Sequence, residues 1–393
     1  MKRKLRIVVL GIMGRTPFAG VVWEVLHYLG GFSRLGHEVY YVEDSQDWPF
    51  DAEQRTITAD PTYTVNLIAR NLAWCGLADR WAYRCVAQND RVYGLSDAAF
   101  RRVFEEADVL VNVCGATTLR DQHLRVPVRV YVETDPGLPE IELAKGDRSM
   151  HELLATHTHH FTFAENLGGA DCGLPIPQSF CFRLTRQPIV LEWFTSRDRA
   201  AGDSNRRSFT TVSSWQQTTN DIEWNGELYT WSKHTEFLKF IDLPHRVSQP
   251  LEIALACDEQ AVLDLLRNNG WRIRDAISLT MDILRYRDYV VSSRGEFSVA
   301  KDQNVRLRSG WFSERSASYL TASKPVITQD TGFGATLPIG AGLFAYRTLE
   351  DILEAFDCVE RDYDRHSRAA RAIAEEHFRA ETVLGRLIRD VGV

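Results

Sequence analysis

Between residues 293 and 316 the chain reads SRGEFSVAKDQNVRLRSGWFSERS, a run that packs Arg294, Glu296, Lys301, Arg306, Arg308 and Arg315 into a sequence whose formal net charge is −7. A diphosphate needs dispersed positive charge and free backbone N–H groups. Arg294, Lys301, Arg308 and Arg315 supply the first. Ser313 stands where it can cap a helix whose first turn, Glu314, Arg315 and Ser316, turns unpaired amides toward an anion. Trp311 is placed to stack on a ring, and Glu314, if charged, accepts hydrogen bonds from hydroxyls. KPVITQDTGFG follows at once, an apolar strand with Gln329, Asp330 and Gly332 at its tip. With Trp215, these are the candidates for holding a sugar and a nucleoside. A solvated charged loop around an ordinary helix would explain the charges but not the polar tips on both sides of one crossover.

The first half carries a second set of chemistry-bearing residues. YVETDPG puts Glu133 and Asp135 directly after an apolar run, where a carboxylate can serve as a general base or cap a turn. His27, within a helical stretch, has the near-neutral titration that suits a base. FAENLGG places Glu165 at another strand end, and GIMGRTPFAG places Gly14 and Arg15 over the same region. GxGxxG is absent and Pro17 spoils the tight glycine bend, so a dinucleotide site is not expected. His157 and His159 of THTHH could face one way on a strand, but no HExxH or partner carboxylate stands at ligand spacing, and no metal site is expected.

These residues need strands and helices to hold them. LRIVVLG, the helical FAGVVWEVLHYLGGFSRLGH and EVYYVED form a βαβ unit, with ADVLVNVCG, VPVRVYVETDPG and HHFTFAEN as further inner strands. PTYTVNLIARNLAWCGLADRWAYRC reads as a helical lid or insert, and selectivity for an acceptor is expected within 63–93. TSRDRAAGDSNRRS is charged, small and aperiodic, a linker. FTTVSSW, LEIALA, WRIRDA, the KPVITQ strand and AGLFAY repeat the alternation, and amphipathic helices close the chain, with Val383, Leu387 and Ile388 on one face. The fold class expected is α/β, two Rossmann-like domains facing across a cleft: 1–195, a linker at 196–208, 209–365, and closing helices at 366–393. At 393 residues, 44 % hydrophobic and 25 % charged, the chain is long enough for two such cores. Its seven scattered cysteines give no disulfide framework or zinc motif, so reduced thiols in a cytoplasmic protein are expected. No run is long and apolar enough for a membrane span. The negative charge argues against nucleic acid and an anionic membrane as partners; a homodimer is compatible with the sequence.

The segments GIMGRTPFAG, LHYLGGFSRLGHEVYYVED, SRGEFSVAK, GWFSERSASYL and KPVITQDTGF together resemble those of a bacterial subgroup of the GT-B glycosyltransferases, over nearly the whole length. The resemblance implies an acceptor-side first domain (1–195), a nucleotide-sugar-side second domain (209–365), helices at 366–393 crossing back to the first domain, a UDP- or dTDP-sugar donor, a small-molecule acceptor, no cofactor and no obligate metal. It departs from the family at one point. The two glutamates of the E-x7-E pattern fall here on Gly310 and Ser318, and Glu314 between them is neither. The stereochemical outcome is therefore open, with an inverting reaction and a base from the first domain expected. Three other readings remain: a noncatalytic nucleotide-sugar binding protein, a nucleotide-sugar epimerase, and a glycosyltransferase acting on modified DNA through Trp74, Arg80, Trp81, Arg84 and Arg91.

Overall fold

A computed structural model describes residues 3–195 and 207–393. Most of the expected linker, and the first two residues of the basic MKRK start, lie outside the described residues. Two mainly parallel sheets carry the molecule. In spatial order the first has Phe182–Leu184, His159–Thr162, Val128–Glu133, Val109–Val113, Arg6–Leu10, Glu38–Glu43, Trp81–Cys85 and Arg91–Gly94. Only its last pair is antiparallel. The second has Arg272–Asp275, Leu251–Ala256, Phe209–Ser214, Gly295–Ser298, Val326–Gln329 and Leu343–Tyr346, all parallel. Ile7 through Leu10 and Val109 through Val111 are all fully buried, as strands covered on both faces must be, with no polar side to alternate against.

Two expectations change here. The stretch expected as a lid or insert divides, with Thr62–Trp74 a helix but Trp81–Cys85 a strand of the sheet. Trp81, Tyr83 and Cys85 enter one apolar cluster and Ala82 the opposite one, so the aromatics there are core. The reverse happens at Gly295–Ser298, a strand not read from the sequence because its side chains include a buried glutamate and serine. Arg315 makes that burial tolerable by donating to both, Nε to Glu296 at 2.5 Å and Nη2 to Ser298 at 2.6 Å.

The C-terminal helix Ala380–Asp390 returns to the first helix, Ala19–Arg34. Gly31 permits the approach: a Cβ there would stand 2.5 Å from Leu384 Cδ1 and 2.8 Å from the Ala380 Cβ. Val383, Leu387 and Ile388 are buried as their spacing predicts. Between the sheets the chain closes on itself through main-chain bonds. The Asn166 amide donates to Ser309 O at 3.1 Å and that of Gly173 to Leu307 O at 2.7 Å. This seam brings the carboxyl ends of the two sheets together around a cleft.

Candidate active site in the cleft

The cleft holds a cavity of about 620 Å³. A cleft at the carboxyl ends of parallel strands is where an open α/β sheet binds ligands, since helix starts and loops converge there. Its first-sheet wall includes Glu24 of the first helix, Cys114 beyond Val109–Val113, and Glu133, Thr134 and Asp135 beyond Val128–Glu133. Facing them are Trp231, Lys301, Trp311, Ser313, Glu314 and Arg315.

Cations gather on the second-sheet side. Burial, and then the fields of Arg315 and Lys301, hold the Lys233 ammonium well below the usual lysine range, against the pull of Glu296 and Asp135. Among the described residues Lys233 has no ion-pair partner. Lys301 is pushed down by burial against the opposing pull of Asp135. Its Nζ bonds Asp135 Oδ2 across the cleft and sits 3.8 Å from the Trp231 ring centroid, and the Trp231 indole N–H donates to the same Oδ2. Arg315 is fixed by Glu296, Ser298 and the Val212 carbonyl at 2.8 Å. Ser313 occupies the N-cap position of helix Glu314–Thr321 without spending its hydroxyl on a cap bond, so the first-turn amides have no side-chain cap. Trp311 is anchored by Nε1 donating to Thr134 O at 2.9 Å, which joins the two walls.

Carboxyl groups of unusual basicity face these cations. Burial lifts Glu24 to about 7, against hydrogen bonds from Cys114 and Thr134 that pull it down. Glu314 rises to about 8, again from burial, with Ser318 Oγ donating to its Oε1 at 3.0 Å. Glu314 therefore carries a proton at neutral pH and can donate a hydrogen bond, whereas the sequence suggested a charged acceptor. Ser318 holds Glu314 from one turn further on. Glu133 is raised by burial and by the nearby Glu140 carboxyl, and receives Tyr131 OH at 2.6 Å and the Asp135 amide at 2.9 Å.

Of the residues expected from sequence, Asp135, Glu133, Lys301, Trp311, Ser313, Glu314 and Arg315 meet in the cavity. Others do not. Arg294 precedes strand Gly295–Ser298 and so stands at the opposite end of the sheet, paired with Glu360 at 2.8 Å and stacked on Tyr363. Arg308 is held between Asp171 at 2.6 Å and Asp330 at 3.1 Å. Asp330 is further engaged by Arg347 at 2.7 Å and the Gly332 amide at 2.8 Å, so both belong to the seam beside the cleft. Trp215 turns into the core against Phe237, and Gln329 is buried between Ala300 N and Glu236. Ser316 is buried within the helix's first turn, its hydroxyl unpartnered.

On the first-sheet side His27 is buried behind the wall. Its Nδ1 accepts from Val190 N at 3.0 Å, its Nε2 lies 3.7 Å from Glu314, and burial drives it down to about 3. A group so hard to protonate is a poor base. Glu165 is committed to Arg186 at 2.6 Å, Arg15 to Asp47 at 3.0 Å, and Gly14 N to Glu43 at 2.8 Å. His157 is buried against Asn112 and Leu153 O while His159 begins a strand half-exposed, so the two do not face one way. The cavity lining includes no residue of 63–93; the segment expected to select an acceptor lies elsewhere in the first sheet and its flanking helix.

Glu24, Trp231 and Lys233 were not anticipated. Glu24 had a signal, as the single charge within VVWEVLHYLGGF, on a helix otherwise apolar nearly all round. The other two follow a short antiparallel hairpin, Ile222–Trp224 with Glu227–Tyr229, and have no motif of their own.

No family model and no curated protein matches this sequence. Solved structures do match its shape along nearly the whole chain. An alpha-glucosyltransferase in complex with UDP and a 13-mer DNA superposes with a TM-score of 0.60 at 10 % identity, covering 99 % of this chain and 100 % of its own. The Anabaena HepE protein in complex with UDP and glucose gives 0.55 at 11 % identity, covering 98 % and 99 %. A glycosyltransferase from Rickettsia africae gives 0.52 at 9 % identity, covering 99 % and 98 %. The fold is GT-B. At such identities the likeness extends to architecture, two Rossmann-like sheets with a cleft between them, and the chemistry rests on the residues in that cleft.

Proposed function

We propose that the chain is a glycosyltransferase moving a sugar from a nucleoside-diphosphate sugar to a small-molecule acceptor. One observation carries this reading: Lys233, Lys301 and Arg315 converge beside an uncapped helix start, opposite a wall that presents Glu24 and Asp135. A diphosphate placed there would be drawn by Lys301 and by the field of Lys233, and the first-turn amides would donate to its oxygens. Two of the structural neighbours hold UDP, which makes a uridine nucleotide the first donor to test. In this reading 1–195 carries the acceptor, 209–365 the donor, and 366–393 returns to brace the first.

The acceptor oxygen attacks the anomeric carbon while the bond from that carbon to the phosphate oxygen breaks. The bonding pair leaves with the diphosphate, where Lys233, Lys301 and the helix start stabilise it. The acceptor proton passes to a carboxylate on the first wall, and an inverting displacement suits a base opposite the leaving group. Glu24 is the better candidate, because Asp135 is tied by Lys301 and Trp231 and Glu133 is raised and hydrogen bonded behind it. Protonated Glu314 donates to a sugar hydroxyl. A DNA acceptor has less support: Trp81 is core, Arg84 is paired with buried Asp44 at 3.5 Å, and neither lines the cavity.

Calorimetry with UDP and dTDP tests the donor assignment. Lys233→Gln and Lys301→Gln are each expected to weaken nucleotide binding at least tenfold, and Arg294→Gln to leave it unchanged. Failure of both nucleotides to bind or to raise the melting temperature at millimolar concentration would sink the reading.

A further inference from the structure

The donor assignment concerns one wall of the cavity; the other wall has a chemistry of its own. Its apolar side chains are Ile12, Val21, Leu138, Met150, Leu153 and Phe163. They come from the loop after the first strand, the first helix, the helices Leu138–Lys145 and Arg148–Ala155 that follow Glu133 and, for Phe163, the end of strand His159–Thr162. Ile12, Val21, Met150 and Leu153 keep exposed surface in a concave site and join no buried cluster, so they are available to a ligand, while Leu138 also packs on the core beside it.

The ionisable groups on this wall are acids, Glu24, Glu133 and Asp135, and no lysine, arginine or histidine from residues 3–195 lines the cavity. A phosphate-bearing acceptor would find no cation of this wall to pair with. Its hydrogen-bonding groups are few and partly committed, with Asp135 Oδ1 and Gln187 Oε1 left unpartnered. Thr134 Oγ1 is engaged with Cys114 Sγ at 2.9 Å, the Gln187 amide donates to Phe312 O, and Tyr131 OH is given to Glu133. A sugar acceptor, with hydroxyls all round, would still lay several of them against the apolar stretch, where nothing pairs with them.

We infer that the acceptor is an uncharged, largely apolar small molecule, aromatic or alicyclic, carrying one nucleophilic hydroxyl directed at Glu24. This rests on the transferase reading. It also moves acceptor choice from the 63–93 segment to the two helices after Glu133.

With UDP present, equilibrium dialysis compares 2-naphthol, methyl glucoside and a hydroxymethylated DNA duplex as probes. 2-Naphthol is expected to bind at least tenfold more tightly than the other two. Leu153→Lys should weaken it tenfold or more, and Met150→Lys, on the same helix, provides a second reading if the first variant does not fold. Tighter binding of the glucoside or the duplex, or naphthol binding unmoved by either folded variant, would overturn the inference. A chain that binds naphthol but no nucleotide would instead overturn the transferase reading.

Discussion

Glu24 shows how much a single side chain can hide. It is one acid on a helix that looks made for packing, and only the fold reveals that this helix turns the acid into the cleft beside Cys114 and Thr134. Burial then raises it to about 7, close to the operating pH at which a base is most effective. The working form is the carboxylate, so turnover should rise with pH through about 7 and level off above it. Glu24→Gln should lower kcat by roughly 10²–10⁴-fold and abolish that acidic limb. A pH–rate profile of the variant checks this, and a limb that survives would return the role to Asp135. His27, the sequence's more obvious base, fails for the same physical reason that Glu24 qualifies. Burial opposes charge on both. In the carboxyl it favours the protonated form and raises the pKa toward neutrality; in the imidazole it favours the neutral form and lowers the pKa far below neutrality.

At the scale of elements, the segment from Arg308 to Thr321 does two things at once: it forms the seam and it starts the helix facing the cleft. Arg308 and Gly310 both lie in left-handed backbone, at φ of 48° and 81°. Gly310 also passes so close to the first sheet's loop that a Cβ would stand 2.4 Å from Asn166 N. Gly310→Ala should therefore cost about 2–4 kcal/mol, combining left-handed strain with a contact against backbone that cannot move aside. Urea unfolding would measure it, and a change within about 0.5 kcal/mol would contradict the geometry. The helix and the apolar strand after it were legible from their pattern. The roles of the arginines were not, because side-chain direction depends on which strand end a residue occupies. With Gly295–Ser298 unread, Arg294 and Lys301 looked equivalent, yet they stand at opposite ends of one strand.

For the whole molecule, periodicity carried the architecture well: alternating apolar runs and helices specify parallel sheets, and the Asp-Pro-Gly turn marks a strand end at the cleft. What periodicity could not supply is how many ionisable groups the closed structure buries, and this determines how stability depends on pH. His27 and His123 are pushed to about 3 and His157 to about 4, each chiefly by burial. Unfolded, these histidines bind protons below about 6.5 while the native state does not, so they remove stability progressively as pH falls from there. Asp44 at about 6, Glu24 and Glu43 at about 7, and Glu133 and Glu314 at about 8 act in the opposite sense. The unfolded chain releases their protons from about pH 4.5 upward while the folded chain retains them, so stability is lost as pH rises toward 8. Between about 4.5 and 6.5 the histidines and the carboxyl groups oppose one another. The melting temperature should thus change least across that window, fall below it, and fall again from about 6.5 to 8. Glu314→Gln, which cannot release a proton, should flatten the alkaline fall. Calorimetric scans of both proteins from pH 4 to 9 would decide it, and a melting temperature that climbs steadily from 6.5 to 8 would show that these carboxyl groups ionise freely in the folded state.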